Sequence, residues 1–232
     1  MREPLVVAVA QPVCVAFDVA ANADTHAATV RSAAARVVVF PELSLTGYEL
    51  DAPAITLDDP RLTPIVEACA QTGTMALVGA PLQGEAGRSH IATLAIDGSG
   101  IRVAYRKVWL DSTEDRFSPG EPAVLTVDGW RLGLAICRDT GIPQHDADLA
   151  ALGIDGYLAG TVMFPEEAEI QDARAVRIAT EHQVYVAIAS FAGATGSGYT
   201  RTAGRSGIWT PAAAVLAQAT PEPGSLARAT LQ

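Results

Sequence analysis

Short valine-rich runs alternate with stretches of helical spacing along the first third of the chain. Leu5–Ala10 and Val37–Phe40 read as buried strands, and between them Ala23, Ala27, Val30 and Ala34 recur at helical intervals behind Asn22 as N-cap. A second helix over Leu62–Gln71 stops at Gly73, and Met75–Gly79 resumes as an apolar strand. The middle of the chain changes period. Ile91–Ile96, Ile101–Arg106, Val124–Val127 and Arg131–Ile136 read as strands, with Asp97-Gly98 and Asp128-Gly129 as hairpin turns. After Cys137 the alternation returns: a helix over Pro143–Leu152, a strand at Gly156–Leu158, a helix from Pro165 to Glu181 and a buried strand at Val184–Ser190. Further strands are expected over Arg205–Trp209, Ala213–Ala217 and Ser225–Thr230.

Strand and helix order is loosely similar in the two halves, and no linker or low-complexity tract divides residues 1–232, which read as one α/β domain. Both faces of the strands are apolar. Each sheet therefore needs helices on one side and a second sheet on the other, giving four layers when two sheets stack.

Composition narrows the function classes. Hydrophobic residues make up 49% and charged residues 18%, enough apolar material to offset the entropy of ordering. The net charge of −10 would repel a nucleic-acid backbone. Cys14, Cys69 and Cys137 show no paired spacing, and the four histidines His26, His90, His145 and His182 show no ligand spacing, so neither a disulfide framework nor a metal centre is expected. The apolar run after the N-terminus stops at Gln11-Pro12, too short for an export signal. The longest uncharged stretch, Val184–Thr200, is broken by glycines, so a soluble cytoplasmic protein is expected.

Three reactive side chains stand just past strand ends. Glu42 follows Val37-Val38-Val39-Phe40-Pro41, and Lys107 follows Ile101–Arg106. Cys137 ends Leu132–Ile136 and leads through Arg138-Asp139-Thr140-Gly141 into a helix, a setting in which backbone N–H groups favour thiolate over thiol. Taken singly, an exposed glutamate, an exposed lysine and a core cysteine are the commoner fates of such residues. Cys69 falls inside the second helix and Cys14 has no comparable setting, so both read as packing; a dyad of Cys137 with His145 or His182 ranks second.

The segments Phe40–Tyr48, Tyr105–Leu110 and Leu134–Asp139, carrying Glu, Lys and Cys in that order, resemble the three signature blocks of the nitrilase superfamily of carbon–nitrogen hydrolases. Separations of 65 and 30 residues resemble those of its compact members. Glu114–Gly120 resembles the family's acidic loop, and Gly204–Pro211 its late strand block. Two positions depart from the pattern: Trp109 stands where histidine is common, and Arg138 where an aromatic residue often follows the cysteine.

The resemblance implies a four-layer α-β-β-α sandwich and hydrolysis of a small amide without a cofactor. On that expectation Glu42 is the base, Cys137 the nucleophile, and Lys107 with the backbone N–H of Arg138 holds the oxyanion. Glu114 would be a second carboxylate positioning Lys107 or the substrate, while Met163 and Phe164 could line the acyl pocket. A homodimer or higher homo-oligomer is also implied. The competing readings are a catalytically silent binding or assembly protein of the same fold, and transfer of the acyl group to an amine.

Overall fold

A computed structural model describes residues 2–84 and 87–232. Its first sheet has the spatial order Leu226–Leu231, Leu5–Ala10, Val37–Val39, Met75–Gln83, Ser89–Asp97, Gly100–Arg106, and its second Val215–Gln218, Gly207–Trp209, Tyr185–Ser190, Gly156–Thr161, Trp130–Ile136, Val124–Val127. The first unit runs β1 (Leu5–Ala10), α1 (Val19–Ala33), β2 (Val37–Val39), α2 (Thr63–Thr72) and β3 (Met75–Gln83), with the three strands parallel. Antiparallel β4 (Ser89–Asp97) and β5 (Gly100–Arg106) extend it. The second unit repeats the plan with β7 (Trp130–Ile136), α3 (Pro143–Ala151), β8 (Gly156–Thr161), α4 (Ala168–His182) and β9 (Tyr185–Ser190). Around it lie β6 (Val124–Val127), β12 (Gly207–Trp209) and β13 (Val215–Gln218), and β14 (Leu226–Leu231) returns to pair with β1. A small ladder of β10 (Ala192–Gly193) and β11 (Thr202–Ala203), not expected from the hydrophobic pattern, closes the loop between them.

Side-chain alternation builds the layers. From β1 and β2, Val7, Val9, Val37 and Val39 face Leu132, Leu134, Ile136 and Leu158 of the second sheet in one shared core. The opposite face of the first sheet, including Ala8, Val38 and Val78, is covered by Ala23, Ala27, Ile65 and Ala68 of α1 and α2. That of the second, including Ala159, Val186 and Ile188, is covered by Leu149, Ala175 and Ile178 of α3 and α4. The result is the four-layer sandwich.

Local expectations meet the structure unevenly. Asp128 and Gly129 both have positive φ, 49° and 83°, and join β6 to β7 as the tight turn their chemistry favours. Asn22 is not the cap of α1. Asp18 is, its carboxylate accepting from Ala21 N at 3.0 Å, while Asn22 is buried one turn in and binds Val15 and Leu45 backbone groups. Ala34 is likewise off the buried face, an exposed C-cap with φ 47°. The segment after Pro165 opens with a single 3-10 turn, Pro165–Glu167, before α4 begins.

Candidate active site

Glu42 sits on a short loop that two sheets squeeze from either side. A Cβ on Gly79 of β3 would come within 2.3 Å of Pro41 O, and one on Gly160 of β8 within 2.6 Å of Phe40 O. Only hydrogen fits there, so both strands approach the backbone that carries the carboxylate. Beyond Glu42, Leu43 has φ 50°, and the chain turns through Ser44–Thr46, whose Ser44 hydroxyl donates to His26 Nε2 at 2.8 Å. His26 is buried and its other ring nitrogen donates to Asn22 O, so α1 anchors the turn.

Lys107 leaves the end of β5 and is buried, with Nζ donating to Glu42 Oε1 at 2.7 Å and to Glu114 Oε1 at 2.6 Å. Glu114 Oε2 accepts from Asp111 N, closing a short loop around the lysine. Burial works against the ammonium, but Glu42, Cys137 and Glu114 outweigh it, and Lys107 stays above its ordinary range. Burial pushes Glu42 up to about 7 despite the attraction of Lys107. Its Oε2 is buried and has no hydrogen-bond partner among the described residues, and the neighbouring Cys137 thiol bears on its acidity.

Cys137 is half-buried and directly follows β7 with φ 44°, a strained conformation at the point where the chain leaves the strand. The expectation that a helix N-terminus favours its thiolate is corrected. A 3-10 turn follows, Cys137–Gly141, α3 begins only at Pro143, and burial followed by the charge of Glu42 pushes the thiol up to about 12. The buried Asp139 carboxylate fixes the turn, accepting from Ile136 N, Trp109 N and Tyr105 OH at 2.9, 2.9 and 2.6 Å.

Cys137, Lys107 and Glu114 line one cavity of about 370 Å³. Phe164 walls it, stacked on Tyr199 at 4.2 Å between ring centres, and Tyr48 meets Tyr199 edge-on. Arg138 and Asp111 stand among the lining residues, their side chains paired at 2.9 Å and half exposed. Met163 does not join them: its side chain is buried with Ala168 and Ala203, because alternation past the end of β8 turns it away from Phe164.

The histidine dyad finds no support in this geometry. Tyr105 donates to Asp139, so His145 Nε2 donates to Tyr105 and Nδ1 accepts from Tyr157, leaving no ring nitrogen for Cys137. His182 binds Asp146. Asp146, Glu181 and His182 come within ligating distance of one another despite their sequence separation, but Arg177 already occupies Asp146 through two hydrogen bonds. Cys69 is buried on the core face of α2, and Cys14 packs on the main core. Sequence reading gave no site role to Asp111, Tyr199, Tyr48, Asp139 or the two clamping glycines; Tyr48 and Asp139 carried a signal, at the ends of the Phe40–Tyr48 and Leu134–Asp139 blocks.

A profile described as carbon-nitrogen hydrolase matches residues 6–232. "Hydrolase in pqqF 5'region" of Pseudomonas protegens is 31% identical over 76% of this chain and 66% of its own length. An (R)-stereoselective amidase of Pseudomonas sp. is 26% identical over 70% of this chain and 61% of its own length. The chain thus spans just under two thirds of these curated relatives. An amidase from Nesterenkonia sp. AN1, solved with acrylamide added to its active-site cysteine, superposes with a TM-score of 0.84 at 23% identity, covering 98% of this chain and 93% of its own. Among the described residues no helix is long and apolar enough to cross a membrane.

Proposed function

The chain belongs to the carbon–nitrogen hydrolase family, and from that premise we propose that it hydrolyses a non-peptide C–N bond in a small amide through a thioester on Cys137. The observation that carries this reading is the division of labour within Glu42: Oε1 is spent on Lys107, while the buried Oε2 has no partner among the described residues, and the Cys137 thiol is near enough to bear on the carboxyl's acidity.

A thiol with a pKa near 12 holds its proton at neutral pH, so the proton must leave as the sulfur attacks. Glu42 Oε2 takes it as Sγ bonds to the carbonyl carbon. Lys107 Nζ and the backbone N–H of Arg138 hold the developing oxyanion, and burial magnifies the charge contribution of the lysine. Collapse of the tetrahedral adduct breaks the C–N bond; Glu42 returns its proton to the leaving ammonia or amine, leaving the thioester. Glu42 then deprotonates a water that attacks the thioester carbonyl, and the thiol is regenerated as the acid departs. Glu114 keeps Lys107 aimed at the cavity. Relatives named as amidases support an amide over a nitrile.

The same proposal places one domain in the cytoplasm as a homodimer or higher homo-oligomer, for which the exposed Ile170 and Val176 on α4 offer an apolar contact face. Intact-mass spectrometry of wild type and Cys137→Ala with a panel of small amides tests the chemistry. An acyl adduct on wild type alone is expected. The same adduct on Cys137→Ala would overturn the nucleophile, and a panel giving neither adduct nor product would favour the silent binding protein.

A further inference from the structure

His145 is buried and ionisable, yet it makes no contact with the nucleophile and the proposed reaction gives it no step. It also lies outside every segment that resembles a family block. An imidazole is costly to bury unless both ring nitrogens find partners, and here both do. From α3 it reaches β5 and β8 together: Nε2 lies 2.9 Å from the Tyr105 hydroxyl and Nδ1 lies 3.2 Å from the Tyr157 hydroxyl. Burial lowers the acidity constant of the ring below its ordinary value, so at neutral pH it is uncharged and carries a single N–H.

The place of that one hydrogen decides where the Tyr105 proton points. With it on Nε2, His145 donates to Tyr105, Tyr157 donates to Nδ1, and the Tyr105 hydroxyl donates to Asp139 Oδ2 at 2.6 Å. With it on Nδ1, Nε2 would become an acceptor and compete with Asp139 for the same proton. Asp139 is buried and its carboxylate can only accept, so the first arrangement is the one in which every group is matched. The chain of hydrogen bonds then forks. Asp139 accepts from Ile136 N, one residue before Cys137, and from Trp109 N, two residues after Lys107. The Tyr105 hydroxyl accepts in addition from Val108 N at 3.3 Å.

We propose that His145 and Tyr105 are positioning residues for the hydrolysis: acting through Asp139, they hold the segment that leaves Lys107 against the turn that carries Cys137, and so set the alignment of oxyanion cation and nucleophile. The inference rests on the hydrolase reading above, which gives Lys107 and Cys137 their roles. Neither side chain lines the cavity that holds Cys137, so neither touches the substrate. Their loss should therefore appear in the chemical step and not in binding. A misplacement of about 1 Å between reacting groups costs on the order of 10²-fold in rate.

The test uses the full chain and the best-hydrolysed member of a panel of formamide, acetamide, propionamide and butyramide, assayed well below the Tm of each variant. Tyr105→Phe removes one oxygen; kcat should fall by about 10- to 100-fold while KM moves less than about threefold. His145→Leu should fall alike, whereas His145→Gln, whose amide can donate from the place of Nε2, should stay within about threefold of wild type. The double variant Tyr105→Phe/His145→Leu should be no worse than the poorer single one, because both act through one chain of hydrogen bonds. Amide hydrogen exchange at Ile136 and Trp109 should quicken in Tyr105→Phe, and this readout serves even if His145→Leu fails to fold. Near-wild-type kcat in Tyr105→Phe, a loss confined to KM, His145→Gln as impaired as Tyr105→Phe, or unchanged exchange at both amides would overturn the assignment and leave the hydrolase reading standing. Absence of turnover and of acyl adduct in wild type with every amide would overturn both.

Discussion

In the proposed mechanism Glu42 carries two duties on two oxygens, and its acidity records the conflict. Burial disfavours its charge more than Lys107 favours it, so its pKa rises from 4.5 to about 7. A proposed base at that value is competent only when deprotonated. The kcat/KM of the proposed amide hydrolysis should therefore rise with pH along a limb centred near 7, and a limb centred near 4.5 would show that the carboxylate is not sheltered as described. Stability runs the other way. The folded state binds this proton more tightly than the unfolded chain, so Glu42's contribution is fully present below about 4.5 and is lost as pH rises through about 7. The carboxylate, the ammonium and the thiol were legible one by one from their places at strand ends. The direction of the thiol's shift was not, because it depends on burial and on the charge of Glu42, which only the fold brings to Cys137.

Strands matter here by what they let approach. Gly79 and Gly160 come from different sheets and pinch the same backbone, so their missing side chains position Glu42. In Gly160→Ala the new methyl group has only backbone atoms to displace, which over-packing puts at about 1–3 kcal/mol. We expect a fall in kcat of about tenfold or more with little change in KM, because in the proposed mechanism the displaced Glu42 acts in the chemical step; unchanged kcat in a folded variant would refute the clamp. The Asp128-Gly129 turn was readable because its requirement for positive φ is local. Asn22 was misread because an asparagine near a helix start suits a cap equally well as a buried brace, and only the chain folding over it at Val15 and Leu45 decides between them.

At the scale of the whole molecule, the site exists because two sheets meet. Glu42 and Lys107 leave the first sheet, and Cys137 leaves the second. Asp139 ties them, accepting from Trp109 N beyond β5 and from Ile136 N at the end of β7. An asparagine there keeps the shape but cannot accept with both side-chain atoms, so one buried donor loses its partner, a cost of about 1–3 kcal/mol. Asp139→Asn should lower Tm by several degrees. It should also cut kcat more than it raises KM, and a loss confined to Tm would reduce Asp139 to a structural role.

What the sequence determined by itself was periodic and local: the alternation that makes two βαβαβ units, the apolar faces that require four layers, the tight turn at Asp128-Gly129, and three reactive side chains in the order the family uses. These follow from spacing within a few residues, where hydrophobic period and turn chemistry act directly. Tertiary structure alone decided which oxygen of Glu42 stays open, that Met163 turns away while Phe164 faces the cavity, and that Arg138 pairs with Asp111 in its lining. Those outcomes depend on burial and on distances between segments far apart in the chain, and electrostatics in a sheltered volume is set by all the groups that enclose it.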